Sequence, residues 1–491
     1  MIRRHASFAL LVATAACASM SDDFDRQLLR PPGSWLAEPA DLGLGAEPFE
    51  IRLHADASLT GYWIPNEHAA GRTVVLLHDE TSNVSVQHPY YTFLHAAGFH
   101  VLTFDPRGFG RSAGRPTLRA WLHDLDAVFD WLHARPDVDP DRIALFGTSL
   151  GAIAAMHAAR PDDRCCALVF EHLPSLRDML RATVADPDSA LGAYSVGILE
   201  FAGLPENIEP VDNAPHVETR ALFIATENEL PRNRTALLRA YDAFAGDKQL
   251  WVLPGTGEAP HAFLTFDGEY QRGIATFLDD AFAGRPVPPP PTANRVGDAS
   301  DGEAWYSIEV ADVNSNDEPE LVEACAVLAD GSVRYAGTRL QGGRGSVRIK
   351  LPATPTQVGA RCVPASEPAS GWPDRTGTRL SRSGATIAPL WPRIEIARND
   401  RASTEDLREL ATALEQAAAT EPFDPRLEAE LADVFARIGL ALDDRRWLER
   451  AVAAVPEHQQ LHFWPGPVAT YGYPQLEMVE RARVALDGAP R

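Results

Sequence analysis

Cysteine is scarce in this chain, and basic residues are outnumbered. Five cysteines occur in 491 residues, and none stands with another Cys or with His at zinc-ligand spacing, which removes a structural zinc module from consideration. The 45 Lys and Arg against 68 Asp and Glu leave a formal charge of -23. Like charge repels nucleic acid and anionic lipid, so neither is an expected unaided partner. A bilayer-spanning run is also missing near the amino terminus, where the apolar stretch 6–16 is too short for a mature membrane helix.

With 45% hydrophobic and 23% charged residues, the composition is that of a globular protein long enough for two or three domains. The opening MIRRHASFALLVATAACASM carries two arginines, the apolar run and then a cysteine after small residues, the pattern of an export signal over residues 1–16. The tetrad TAAC resembles a bacterial lipobox, with Thr14 where Leu is commoner, which makes Cys17 the expected lipid anchor of an exported envelope protein. Cleavage near Ala-Cys-Ala, giving a soluble periplasmic or secreted form, is the alternative. Cys165 and Cys166 head the apolar run CCALVF and read as buried small hydrophobes. Cys325 and Cys362 share a later region, and in an exported protein they form a candidate disulfide.

Composition shifts divide the chain. After an arm at 17–46, residues 47–284 alternate apolar strand-like runs with amphipathic helices. The runs are FEIRL, LTGYWI, TVVLLH, HVLTF, RIALF, ALVF, ALFIA and KQLWVL. Between the fourth and fifth, Trp121, Leu122, Leu125, Phe129 and Leu132 fall on one helical face. Such alternation predicts an α/β fold whose mostly parallel sheet is covered on both sides. The Pro-rich stretch 285–296 reads as a linker. Residues 297–364 hold five alternating runs separated by Asp-Gly, Gly-Gly and Pro-rich turns, a small all-β unit of sandwich type. A Pro, Gly and Ser-rich connection at 365–403 leads to a helical region at 404–491. There Ala417 and Pro422 recur thirty-four residues later as Ala451 and Pro456, and Leu431, Ala432, Phe435, Gly439 and Leu448 resemble tetratricopeptide consensus positions. A plain helical hairpin gives similar spacing. So few repeats bury their faces only by docking, on the rest of the chain or on a protein partner.

The pentad GTSLG lies between the strand RIALF and the helix that begins at Leu150, which sets Ser149 at the tip of the turn. Gly147 and Gly151 suit a sharp strand-to-helix elbow, where strand and helix come too close for larger side chains. The elbow exposes a hydroxyl under a helix amino terminus, whose amides favour developing negative charge.

The runs TVVLLHDETSNVS, HVLTFDPRGFGRSAG and IALFGTSLGAIAA, in that order, resemble the α/β-hydrolase superfamily, in its esterase, lipase and peptidase-like branch. The resemblance covers about Glu47 to Gly284 and implies a Ser, acid, His triad with no metal or organic cofactor. PGTGEAPHAF, past the run KQLWVL, is similar to the family's closing turn and places His261 as the base. The family's acid is usually an Asp after the seventh strand; here Glu229 is the expected acid, with Glu227 and then Glu171 as alternatives. The oxyanion hole falls to the amides of Leu150 and Glu80, and the Glu80 carboxylate is expected to point away from the forming anion. Asp79 stands where relatives carry Gly. Asp105 and Arg107 of DPRGFGRS brace neighbouring loops in this family and are expected to be structural. The segment 173–215 reads as a short lid.

These features predict an exported serine hydrolase for a small ester, less readily an amide, with peptidase or acyltransferase chemistry as variants. The rival is a noncatalytic envelope scaffold on a degenerate hydrolase fold, to which Asp79 and the irregular acid loop lend support.

Overall fold

The computed structural model describes residues 25–26, 28–31, 35, 38–160, 164–181, 196–197, 200, 204–227, 229–253, 269–299, 302–311, 319–341, 344–363, 378–379, 390, 393, 397, 402–420, 425–453, 481–482 and 484–486. Cys17 and His261 therefore lie outside the described residues, as does much of the expected lid. Among the described residues no helix is long and apolar enough to cross a membrane.

All eight runs expected to be strands between residues 47 and 284 form strands of one sheet. They are β1 (Glu47–His54), β2 (Ala57–Ile64), β3 (Thr73–Leu77), β4 (His100–Asp105), β5 (Ile143–Thr148), β6 (Ala167–Glu171), β7 (Ala221–Thr226) and β8 (Lys248–Leu253), in the spatial order β1-β2-β4-β3-β5-β6-β7-β8. The pairs β1–β2 and β2–β4 are antiparallel, whereas β4–β3, β3–β5 and β5–β6 are parallel. Every residue of β3, β4, β5 and β6 is buried. That is the physical reason their sequences are continuous apolar runs without strand alternation.

The chain divides into two compact units: residues 1–35, 44–223 and 232–247 form one, and residues 36–43, 224–231 and 248–491 the other. In the first unit α1 (His88–Ala96), α2 (Leu118–His133) and α3 (Leu150–Ala158) follow β3, β4 and β5. The Thr117 side chain accepts the Ala120 amide at 3.0 Å and starts α2. Trp121, Leu122, Leu125, Phe129 and Leu132 are buried along its inner face.

The second unit contains two small antiparallel sheets. One has the order β13-β10-β9, from β9 (Thr292–Asp298), β10 (Ala304–Val310) and β13 (Gly345–Leu351). The other runs β14-β11-β12-β15, from β11 (Pro319–Val327), β12 (Val333–Gln341), β14 (Gln357–Val363) and β15 (Thr378–Arg379). One apolar cluster takes Tyr306, Ile308 and Ile349 from the first sheet with Val322, Ala324 and Ala336 from the second, so the two faces close a sandwich. Residues 292–296, read from sequence as linker, instead belong to β9, paired with β10.

The expected Cys325–Cys362 disulfide is not formed. Cys325 is a free, buried thiol. The β11–β14 register sets Cys325 opposite Gly359 and position 362 opposite Val322. That offset of three residues is about 10 Å along a strand, beyond the Cα separation of roughly 4.4–6.8 Å that a disulfide accepts.

Three helices follow: α7 (Thr404–Thr420), α8 (Pro425–Leu442) and α9 (Arg445–Ala453), numbered after α4 (Leu176–Arg181), α5 (Pro231–Ala243) and α6 (Glu269–Phe282). Leu410, Leu414, Phe435, Ile438, Leu448 and Ala451 share a core. A Cβ at Gly439 would come 2.6 Å from Leu448 Cδ2, so glycine is what lets α8 and α9 approach.

Candidate active site

Ser149 stands between β5 and α3 with φ +52° and ψ -116°. A serine gains nothing locally from a positive φ, so the surrounding packing holds this backbone. The two flanking glycines show how. A Cβ at Gly147 would lie 2.4 Å from the Gly151 carbonyl oxygen, and one at Gly151 would lie 2.1 Å from the Leu77 carbonyl oxygen. Strand β5, helix α3 and the end of β3 are thus in backbone contact, which leaves no room for side chains at those positions. The Ser149 amide donates to the Glu171 carbonyl at 2.9 Å, and the Ser149 carbonyl accepts the Ala152 amide at 3.0 Å as α3 begins. The Ser149 side chain is left half-buried at the carboxyl edge of the parallel strands.

The loop after β3 reaches this serine through Glu80. Ser149 Oγ donates to Glu80 Oε2 at 3.0 Å, and the Leu150 amide donates to the same oxygen at 3.4 Å. The Glu80 carboxylate also accepts from its own amide. Both amides expected to form the oxyanion hole therefore point at the Glu80 carboxylate. This overturns the expectation that the side chain would turn away: the N-terminal amides of α3 attract the nearest anion, and Glu80 supplies it. Burial, and after it the neighbouring Asp79 carboxylate, push the Glu80 carboxyl up to about 7 against the lowering effect of those hydrogen bonds.

Asp79, in place of the family's glycine, closes the loop on itself. Its Oδ1 accepts from the Thr81 amide at 2.8 Å and the Thr81 hydroxyl at 2.6 Å, while its carbonyl faces His78 Nδ1 at 2.7 Å. His78 packs between Phe109 and Trp121 and sits 3.5 Å from Asp105 Oδ1. Asp105 in turn accepts the Val84 amide at 2.8 Å and the Arg111 amide at 3.3 Å. Arg107 fixes the next loop by donating to Asp124 from both its amide, at 2.9 Å, and its Nε, at 2.6 Å. Asp105 and Arg107 are thus engaged with backbone and a buried acid, as bracing residues should be.

At the end of β6, Glu171 is wholly buried and accepts from the Tyr90 hydroxyl at 2.7 Å. His172 follows it with φ +53°, a second strained backbone on the same strand edge, and its Nε2 is 3.9 Å from Glu171 Oε1. Nothing in the sequence pattern marks Tyr90, which lies eighty-one positions from Glu171. Glu229, the expected triad acid, is buried just past β7. Glu227, its alternative, donates its amide to the Leu253 carbonyl at 2.9 Å. The geometry brings Ser149, Leu150 and Glu80 together.

A family model described as serine aminopeptidase, S33, matches residues 68–171. An uncharacterized protein of Mycobacterium tuberculosis is 31% identical over 208 residues, covering 40% of this chain and 67% of that relative. Lysophosphatidylserine lipase ABHD12 of Mus musculus is 35% identical over 101 residues, covering 20% of this chain and 25% of its own. Among solved structures, an esterase of Pyrococcus furiosus is similar over 52% of this chain and 98% of its own, at 24% identity and a TM-score of 0.41. The family-model match, together with 31% identity to the mycobacterial relative over 67% of its length, agrees with the strand order and the serine elbow: the chain belongs to the α/β-hydrolase superfamily.

Proposed function

We propose that this protein is an exported serine hydrolase that cleaves a small ester, less readily an amide, through an acyl-enzyme. The observation that carries the reading is the Ser149 elbow: a half-exposed hydroxyl on a strained backbone, with the first amide of α3 beside it. Ser149 attacks the carbonyl carbon, His261 takes its proton and returns it to the leaving group, and Glu229 orients the imidazole. The Leu150 amide supports the oxygen that becomes anionic. A relative named as a lysophosphatidylserine lipase supports the ester reading, and a lid as short as the one expected from sequence at 173–215 suits a small substrate better than a folded peptide. Cys17 anchors the protein to the envelope by lipid in this reading.

Occupation of the Leu150 amide by the Glu80 carboxylate favours a second reading, a scaffold whose site is closed by its own side chain. Turnover of p-nitrophenyl acetate separates the two. The enzyme loses several powers of ten in Ser149→Ala and His261→Ala, because triad members act as a unit. A scaffold gives the same trace for wild type and variants.

A further inference from the structure

We propose that Glu80 is a catalytic residue of this site, working in its protonated form as the side-chain donor of the oxyanion hole. The inference rests on the serine-hydrolase reading and adds to it a residue that triad logic does not supply.

The geometry makes the case. Glu80 Oε2 lies 3.0 Å from the reacting atom, Ser149 Oγ, and 3.4 Å from the Leu150 amide nitrogen. It occupies the place that a substrate carbonyl oxygen must take. When that oxygen arrives, Oε2 gives up the Leu150 amide and becomes the substrate oxygen's neighbour. An ionised carboxylate there has no proton to give and repels the developing negative charge. A neutral carboxyl has one O–H to direct at the developing anion. The proton count closes. As the Ser149 Oγ–C bond forms, the carbonyl π pair moves onto oxygen, and the serine proton goes to His261. The Glu80 proton stays on Glu80 as a hydrogen bond throughout. When the tetrahedral adduct collapses, the bond to the leaving group breaks, and that group takes the proton held by His261.

The two largest influences on the carboxyl favour its neutral form. Asp79 brings a like charge from the same loop, and burial is the larger influence in the same direction. From the elbow come the Ser149 hydroxyl and the Leu150 amide, neutral donors whose hydrogen bonds favour the ionised form and offset the first two influences only in part. From the N-terminal arm, the Arg30 amide donates to the Glu80 carbonyl at 3.0 Å. With its carboxyl near 7, Glu80 is divided between the two forms at neutral pH.

The test is kcat/KM for p-nitrophenyl acetate from pH 5 to 9.5 in the full chain and in Glu80→Gln and Glu80→Ala, each first shown to melt like wild type at pH 6. Wild type should lose about tenfold per pH unit above 7 as the donor ionises. Glu80→Gln carries an amide donor at every pH, so it should hold its plateau and exceed wild type by about 100-fold at pH 9. Glu80→Ala should run at least about tenfold below Glu80→Gln throughout. Two results overturn the proposal: Glu80→Gln at or below wild type at pH 9, which makes Glu80 a base or a purely structural acid, or Glu80→Ala equal to Glu80→Gln, which makes the carboxylate only a plug. If wild type turns over no ester and Ser149 takes no fluorophosphonate at any pH, the hydrolase reading itself has failed, and this proposal falls with it.

Discussion

Replacing Gly151 by alanine adds one methyl group inside a helix, and helix propensity alone would stabilise the protein by about 1 kcal/mol. The packing reverses that sign. The new Cβ would lie 2.1 Å from the Leu77 carbonyl oxygen, 2.6 Å from its carbon and 2.7 Å from the His78 carbonyl oxygen, where ordinary contact begins at 3.4 Å. All three are backbone atoms. Leu77 ends a strand hydrogen-bonded on both sides, to β4 and to β5, so relief requires moving either that ladder or α3 by about an ångström. Overpacking of a well-filled core costs roughly 1–3 kcal/mol even when side chains can yield. Backbone against backbone belongs at or above the top of that range. After subtracting the propensity gain, the net loss is about 2 kcal/mol or more, which in a region of this size lowers Tm by about 4–8 °C. Activity should fall further than stability, because the displaced chain leads three residues later to Glu80. Thermal melts at pH 7 with Gly45→Ala beside it, where a Cβ meets nothing within 4 Å, measure the effect against a neutral control. A Gly151→Ala protein that melts at or above wild type, with its serine still reactive, would refute the close-approach argument for the elbow.

Asp124→Ala leaves the Arg107 guanidinium and amide without their shared acceptor in a buried site; we expect about 2–3 kcal/mol of destabilisation in urea, with Asp124→Asn recovering about half, and equal losses in the two variants would contradict the bracing role. Cys325 is buried with its thiol pushed up to about 12 by desolvation, so iodoacetamide at pH 8 should leave it unmodified in the native protein and alkylate it after unfolding; recovery of a linked Cys325–Cys362 peptide would contradict the strand register. Glu80 is raised in the folded state from 4.5 to about 7, so its contribution to stability is fully present below about 4.5 and lost as pH rises through 7. Glu80→Gln should therefore melt with wild type at pH 5 and above it at pH 8.5, by the equivalent of roughly 1–3 kcal/mol after discounting for the part of the site open to water; an equal difference at both pH values would mean the carboxyl does not titrate there.

The sheet was legible because strands buried on both faces, as β3 to β6 are, must be written as apolar runs. The serine elbow was legible for a related reason: two glycines four residues apart around a serine have few explanations once a strand precedes and a helix follows. Strand β9 was missed. Its residues TANRVGD are almost wholly exposed, so neither alternation nor an apolar run marks it, and only pairing with β10 makes it a strand. The Cys325–Cys362 bridge was a misreading of the same kind, because the register between β11 and β14 is a tertiary fact that cysteine spacing does not encode. The direction of the Glu80 carboxylate depends on where the first amide of α3 points, seventy residues away. Sequence could nominate the loop and its amides, but which way the acid turns follows from the electrostatics of a helix terminus. The Tyr90–Glu171 hydrogen bond belongs to the same category.

Fluorophosphonate labelling of the full-length protein at pH 6.5, followed by peptide mapping, tests the central claim most directly, because the reagent reacts only with a serine that is both activated and open. The account predicts one phosphonylated residue per chain, in the peptide containing Ser149, with no labelling of Ser149→Ala or of heat-denatured protein. Unlabelled wild type, or a label on any other serine, would contradict it.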